Sequence, residues 1–142
     1  MSRKTDLIDE DFAKEAIRNW LSQNGWNRRI HVARLRQQGV DIQVVNDKAE
    51  RYLFIEVKGE SDKSSVNYNN VIFALGQIVL RMKVIARHAY IYGVGYPKPL
   101  ADKAVKKIPY QFAKLVNLWI FSVNKRGEVK KYAWTDLRDI QS

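Results

Sequence analysis

Residues 39–59 read Gly39-Val40-Asp41-Ile42-Gln43-Val44-Val45-Asn46-Asp47-Lys48-Ala49-Glu50-Arg51-Tyr52-Leu53-Phe54-Ile55-Glu56-Val57-Lys58-Gly59. Two alternating apolar runs, Val40 to Val45 and Tyr52 to Lys58, flank a polar stretch, which predicts a β-hairpin. Along a strand successive side chains point to opposite faces, so Asp41 and Gln43 share one face while Val40, Ile42 and Val44 share the other. On the second strand Glu56 and Lys58 share a face with Tyr52 and Phe54, and Ile55 and Val57 take the opposite one. With the turn at residues 47–50, Asn46 faces Arg51. Five residues back on each strand, Asp41 faces Glu56, with β-carbons about 4.5–5.5 Å apart.

Opposed carboxylates repel each other unless a positive charge lies between them. A hard divalent cation such as magnesium is one solution, because it takes carboxylate and backbone carbonyl oxygens and keeps several waters. Lys58 points the same way, suited to acting on an attacking water or on developing phosphate charge. The alternative is a solvated strand face with no metal, and a one-residue slip of the hairpin separates the two acids.

Outward from the hairpin, Asp9 or Asp11 can cap a helix running to about Asn24, with Phe12, Ala16, Ile17, Trp20 and Leu21 as its apolar stripe and Gly25 as its stop. Arg28 to Ala33 is a short strand. Ser61 to Asn70 is polar and reads as a loop. Val71 to Ala86 is apolar on several sides and reads as a buried helix. Ala89 to Val94 is a strand ending in a turn at Gly93-Val94-Gly95-Tyr96-Pro97. Leu100 to Lys107 is a short helix, and Tyr110 to Leu115 is ambiguous. Leu118 to Val123 and Val129 to Trp134 are late strands, and Thr135 caps a C-terminal turn. The order αβββαβ predicts an α/β fold, with a mixed central sheet flanked by helices, in one domain spanning 1–142.

Composition agrees with a polyanionic partner. There are 25 Lys and Arg against 15 Asp and Glu, a net charge of +10, and neutralised phosphates release counterions. A basic surface that only confers solubility is the alternative. The chain has no cysteine, which excludes disulfides and thiolate metal sites. His31 and His88 lack ligand spacing. No apolar run is long enough to span a bilayer, and the expectation is a cytoplasmic protein with no membrane association.

The stretches Gly39-Val40-Asp41-Ile42 and Tyr52-Leu53-Phe54-Ile55-Glu56-Val57-Lys58-Gly59 resemble the core of the PD-(D/E)xK nuclease superfamily, the restriction-endonuclease-like fold. Fourteen residues separate the aspartate from the glutamate, and Val40 stands where the nominal motif has proline. Phe73-Ala74-Leu75-Gly76-Gln77 is similar to a Gly-Gln element found in branches of that superfamily. The first helix, Glu15-Ala16-Ile17-Arg18-Asn19-Trp20-Leu21, is similar to that of the small excision-controlling factors of the fdxN element. The resemblance implies a magnesium-dependent DNA endonuclease, with manganese able to substitute. Asp41, Glu56 and the Val57 carbonyl would hold the metal, Lys58 would serve water, and Gln77 would support the site.

Glu15 would be the acidic residue that some members use from the first helix, although on a helical wheel it falls on the solvent side. Gln77 could instead hydrogen-bond a buried backbone group, and Gly76 is read as a point of close helix–sheet packing. Arg34, Arg36, Lys63, Arg81 and Lys83 are candidate phosphate contacts. Tyr68, Tyr96 and Trp134 could stack on bases or belong to the core. The competing expectations are a non-catalytic DNA-binding or recombination and excision-control factor on the same fold, and a plain protein-interaction module. A homodimer would let two sites address two strands.

Overall fold

The computed structural model describes residues 6–33, 39–48 and 50–142. In chain order the elements are α1 (Glu10–Gln23), β1 (Arg28–Val32), β2 (Ile42–Val45), β3 (Tyr52–Val57), α2 (Ser64–Arg81), β4 (Tyr90–Pro97), α3 (Lys98–Lys107), α4 (Tyr110–Val116), β5 (Leu118–Val123), β6 (Val129–Tyr132) and α5 (Trp134–Gln141). The αβββαβ order is the one expected. The six strands form one mixed sheet in sequence order. β3, β4 and β5 are parallel, and the pairs β1–β2, β2–β3 and β5–β6 are antiparallel.

Helix α1 begins where Asp9 caps it, its side chain accepting from the Phe12 N–H at 2.7 Å. It covers one face of the sheet and packs on β3 to β6, while α2 to α5 cover the other. This division follows from strand order, because right-handed crossovers that step the same way along a sheet lie on the same face. Each face has its own core. Ile17 and Leu21 meet Ile42, Ile55, Ile91 and Phe121 under α1; Ala74, Ile78, Leu100 and Ala104 meet Tyr96 and Ile120 on the other side.

Several boundaries differ from the sequence reading. Residues 64–70, expected as a loop, are the first two turns of α2, and the helix stops at Arg81 rather than Ala86. Polar side chains at its start are tied to the preceding backbone. Asn67 Nδ2 donates to the Ser61 carbonyl at 2.8 Å, and Asn70 Nδ2 to that of Gly59 at 3.1 Å. Nor is α2 buried all round: only Val71, Ala74 and Ile78 are fully enclosed.

Gly93 to Pro97 is the second half of β4, not a turn. A β-carbon at Gly95 would lie 2.5 Å from Ile17 Cδ1 and 3.3 Å from Val57 Cγ2. The glycine is there to let α1 approach the sheet, and its turn-like appearance is incidental. The ambiguous segment is helix α4, and the C-terminal turn extends to the eight-residue α5. In α1 the buried positions are Ala13, Lys14, Ala16, Ile17 and Leu21, whereas Phe12, assigned to the stripe, is 42% exposed.

Candidate active site

The hairpin has the register inferred from its turn. Ile42 pairs with Ile55, Gln43 with Phe54, Val44 with Leu53 and Val45 with Tyr52, and the Asn46 N–H donates to the Arg51 carbonyl at 3.1 Å. One step past the last pair, Asp41 stands opposite Glu56. Asp41 lies outside the ladder, and its side chain takes over a backbone role there: Oδ2 accepts from the Val57 N–H at 2.7 Å. This bond fixes the carboxylate against the end of β3.

Glu56 is 3% exposed. Its face of β3 is lined by stacked aromatic pairs, Tyr52 on Tyr90 and Phe54 on Tyr92, with ring centroids 5.2 and 5.7 Å apart. Helix α2 closes over it. Burial, then the charge of Asp41 and a carboxyl–carboxyl hydrogen bond with it, push the Glu56 carboxyl up to about 7, while Arg81 pulls the other way. Arg81, expected on phosphate, donates from Nε to Glu56 Oε1 at 2.7 Å.

A second cation enters from α1. Lys14, 5% exposed, sits 3.6 Å from Asp41 Oδ1 and 3.0 Å from Glu10 Oε2, and donates to the Ala33 carbonyl at 3.3 Å. Burial works against its charge, but the hydrogen bond to Glu10 and the charges of Asp41 and Glu10 outweigh it and raise the Lys14 pKa. The sequence reading overlooked Lys14 and Glu10. The signal was a lysine beside Ala13 and Ile17 on the inner face of the helix, with a glutamate four residues before it. Gly59 allows this approach: a β-carbon there would lie 2.6 Å from the Glu10 backbone nitrogen. The Glu60 N–H donates to the Ile8 carbonyl at 2.7 Å, which pins the start of α1 to the end of β3.

The other expected residues divide. Lys58 continues β3 at a half-exposed position, its N–H donating to the Gly95 carbonyl at 3.0 Å; its ammonium has no partner among the described residues. Gln77 lies one turn before Arg81 on the same side of α2, and its Oε1 is buried without a hydrogen-bond partner. That side-chain oxygen therefore does not serve a backbone group within the described chain. Glu15 is on the solvent face of α1, paired with Arg18 at 3.4 Å, and the acid that α1 does bring near the site is Glu10. Gly76 makes no close packing with the sheet, since a β-carbon there would meet nothing within 4 Å.

Lys63 and Lys83 flank the two ends of α2, about 27 Å apart by helix rise, so they do not form one patch. Arg34 and Arg36 lie outside the described residues. Tyr96 is core and donates to the Val71 carbonyl at 2.7 Å. Trp134 lies between the side chains of Lys114 and Arg138, 4.7 and 5.4 Å from its ring centroid.

Among the described residues there is no group of three or more His, Cys, Asp or Glu side chains suited to a metal ion. A metal here would rest on the Asp41 and Glu56 carboxylates and a backbone carbonyl. That donor set is all oxygen and suits magnesium, which commonly binds one or two carboxylates and retains waters. Burial and then the neighbouring Asp41 charge raise Glu56, and a divalent cation would relieve the repulsive part, with Arg81 giving ground.

These features define an α/β domain of restriction-endonuclease-like order with a paired-carboxylate cluster at the open end of its β2–β3 hairpin. The chain is similar in structure to an XisH family protein from Nostoc punctiforme. The match has a TM-score of 0.52 and 14% identity, and covers 87% of this chain and 99% of that one. At that identity the likeness is one of fold. No protein-family model matches the sequence, and no curated protein sequence matches it significantly. No helix among the described residues is long and apolar enough to cross a membrane.

Proposed function

We propose that the chain is a magnesium-dependent endonuclease that hydrolyses DNA phosphodiester bonds, as a member of the PD-(D/E)xK superfamily. The observation that carries the reading is the pairing of Asp41 with a buried, charge-disfavoured Glu56, two residues from the Lys58 ammonium, which has no partner among the described residues. Asp41, Glu56 and the Val57 carbonyl would hold magnesium, or manganese in its place. The metal supplies Lewis acidity toward a phosphoryl oxygen and lowers the pKa of bound water.

The remaining work falls to side chains of this chain. Lys58 is free to hydrogen-bond the attacking water or a non-bridging oxygen of the phosphate. Arg81, released from Glu56, is long enough to meet phosphate instead. Lys14 holds Asp41 in place on one side, and the Val57 N–H holds it on the other. The buried Gln77 oxygen is an acceptor available to water at the site. The net charge of +10 draws the polyanion in.

Titration of magnesium into plasmid and branched DNA tests this. Wild type should nick or cut, and Asp41→Ala, Glu56→Ala and Lys58→Ala should each lose activity by at least about a hundredfold. Cleavage retained in Glu56→Ala would defeat the proposal.

A second reading rests on a specific observation: both acids already have cationic partners, Arg81 for Glu56 and Lys14 for Asp41. A site neutralised from within needs no metal to be stable, which suits a non-catalytic DNA-binding factor of the excision-control kind. The fold likeness to an XisH family protein accords with it. On this reading the three alanine variants bind DNA as wild type does, and no hydrolysis occurs at any metal concentration.

A further inference from the structure

The outward face of α2 is apolar and uncovered by the described chain. Ile72, Phe73, Val79 and Leu80 are 49%, 58%, 40% and 87% exposed, and Val66 and Tyr68 extend the strip toward the start of the helix. Val66, Phe73 and Leu80 recur every seven residues, with Ile72 and Val79 beside them, so they form one continuous stripe. The 17 residues from Ser64 to Leu80 contain no Asp, Glu, Lys or Arg, in a chain whose residues are 28% charged. The groove between α2 and α3, where Tyr68 and Ile72 meet Ile108 and Pro109, borders this surface and carries Lys103 and Lys107 on its far wall.

Gly76 lies within the stripe, between Phe73 and Leu80. A glycine inside a helix costs about 1 kcal/mol relative to alanine. The fold does not require it, since a β-carbon at that position would touch nothing within 4 Å. A close-packed partner helix would make use of the missing side chain.

We propose that this face is the contact between two copies of the chain, α2 packing against α2 across a two-fold axis near Gly76. In such an isologous contact each residue near the axis meets its own copy. A lysine or arginine there would face its own like charge, and in a molecule of net charge +10 a charge-free stripe removes that penalty. A different protein recruited by this basic chain would be selected through acid–base complementarity, and the stripe itself holds no cation for it to recognise, Lys103 and Lys107 standing across the groove at its edge. The exposed apolar area of the six named side chains is roughly 600 Å², at the upper end for a monomer's largest patch and close to the ~800 Å² per partner of a stable interface. One flank of the same helix carries Gln77, one turn after Phe73, and Arg81, so pairing through α2 sets the two carboxylate sites alongside one helix pair. This inference does not depend on the sites being catalytic.

Sedimentation equilibrium from about 1 to about 100 μM should give twice the chain mass for wild type. Phe73→Glu and Leu80→Glu should each yield monomers, with dimer affinity reduced at least tenfold and far-UV circular dichroism unchanged. Leu115→Glu, at a position 61% exposed on α4, should remain dimeric. Because the chain has no cysteine, Gly76→Cys gives a single thiol that should form an intermolecular disulfide on mild oxidation, while Leu115→Cys should not. A wild type that is monomeric throughout the range overturns the proposal, including one that instead binds lipid vesicles or another protein through this face. So does a dimer indifferent to both glutamate variants.

Discussion

Among the described residues Glu56 and Lys14 are the buried side chains of charged type, and each has a measurable consequence. Glu56 has an ordinary carboxyl pKa in the unfolded chain and one of about 7 in the folded protein. Between those values the folded state holds a proton that the unfolded state has released. Stability is therefore greatest at the acidic end of that interval, falls as pH rises to 7, and stays lower above it, by on the order of 3 kcal/mol. Asp41 and Arg81 are the charged groups facing it, and Lys14 stands behind Asp41. In metal-free buffer the wild-type Tm should fall between pH 5 and pH 8, and Glu56→Gln should flatten that dependence. An equal slope in both proteins would count against the buried-acid assignment. Lys14→Met removes the cation from a pocket that still holds Glu10 and Asp41, and stability at pH 7 should drop by about 3 kcal/mol, read by urea denaturation.

At the scale of elements, the β2–β3 hairpin was the most legible part of the chain. Its alternation and its polar turn determine register together, and register alone puts Asp41 opposite Glu56. The same local reasoning failed for Ser64 to Asn70 and for Gly93 to Pro97. Asparagines and serines favour loops by propensity, yet here the Asn67 and Asn70 side chains bond backbone outside the helix and leave its ladder intact. Glycines and proline usually mark turns, yet in β4 they answer to crowding from Ile17 and Val57, residues far away in sequence. Lys14 was only partly legible for a related reason: Glu10 is a local partner one turn away, but Ala33 and Asp41 come from two other segments that only tertiary packing brings to α1. Gly59 is where that assembly is most exposed to mutation. Gly59→Ala forces a methyl group against the backbone at Glu10, and should lower Tm by at least about 5 °C. Gly76→Ala, with open space around it within its own chain, should show no such loss where the chain is monomeric; equal destabilisation of the two there would contradict this account of Gly59.

For the whole molecule, charge and topology carry the remaining weight. On the proposed function, twenty-five basic residues against fifteen acidic ones hold DNA through counterion release, and binding should weaken by at least about tenfold between 50 and 200 mM salt. Affinity that does not change with salt, measured by fluorescence anisotropy, would remove DNA as the partner. Which basic side chains make the contacts was not legible, because Lys63 and Lys83 are neighbours only through the helix that separates them. The overall architecture was readable because each strand pairs with the next one along the chain.

That consecutive pairing has one more consequence. Every side chain of the carboxylate cluster, from Glu10 to Arg81, comes from the amino-terminal part of the chain, and β4 and β5 with their helices pack behind it. In a saturation survey, harmful changes beyond Tyr90 should be curable by cooling or by a second, stabilising substitution, whereas those at Asp41, Glu56 or Lys58 should resist both. On the proposed function, the protein thus separates, along its own length, errors that stop it from folding and errors that stop it from working.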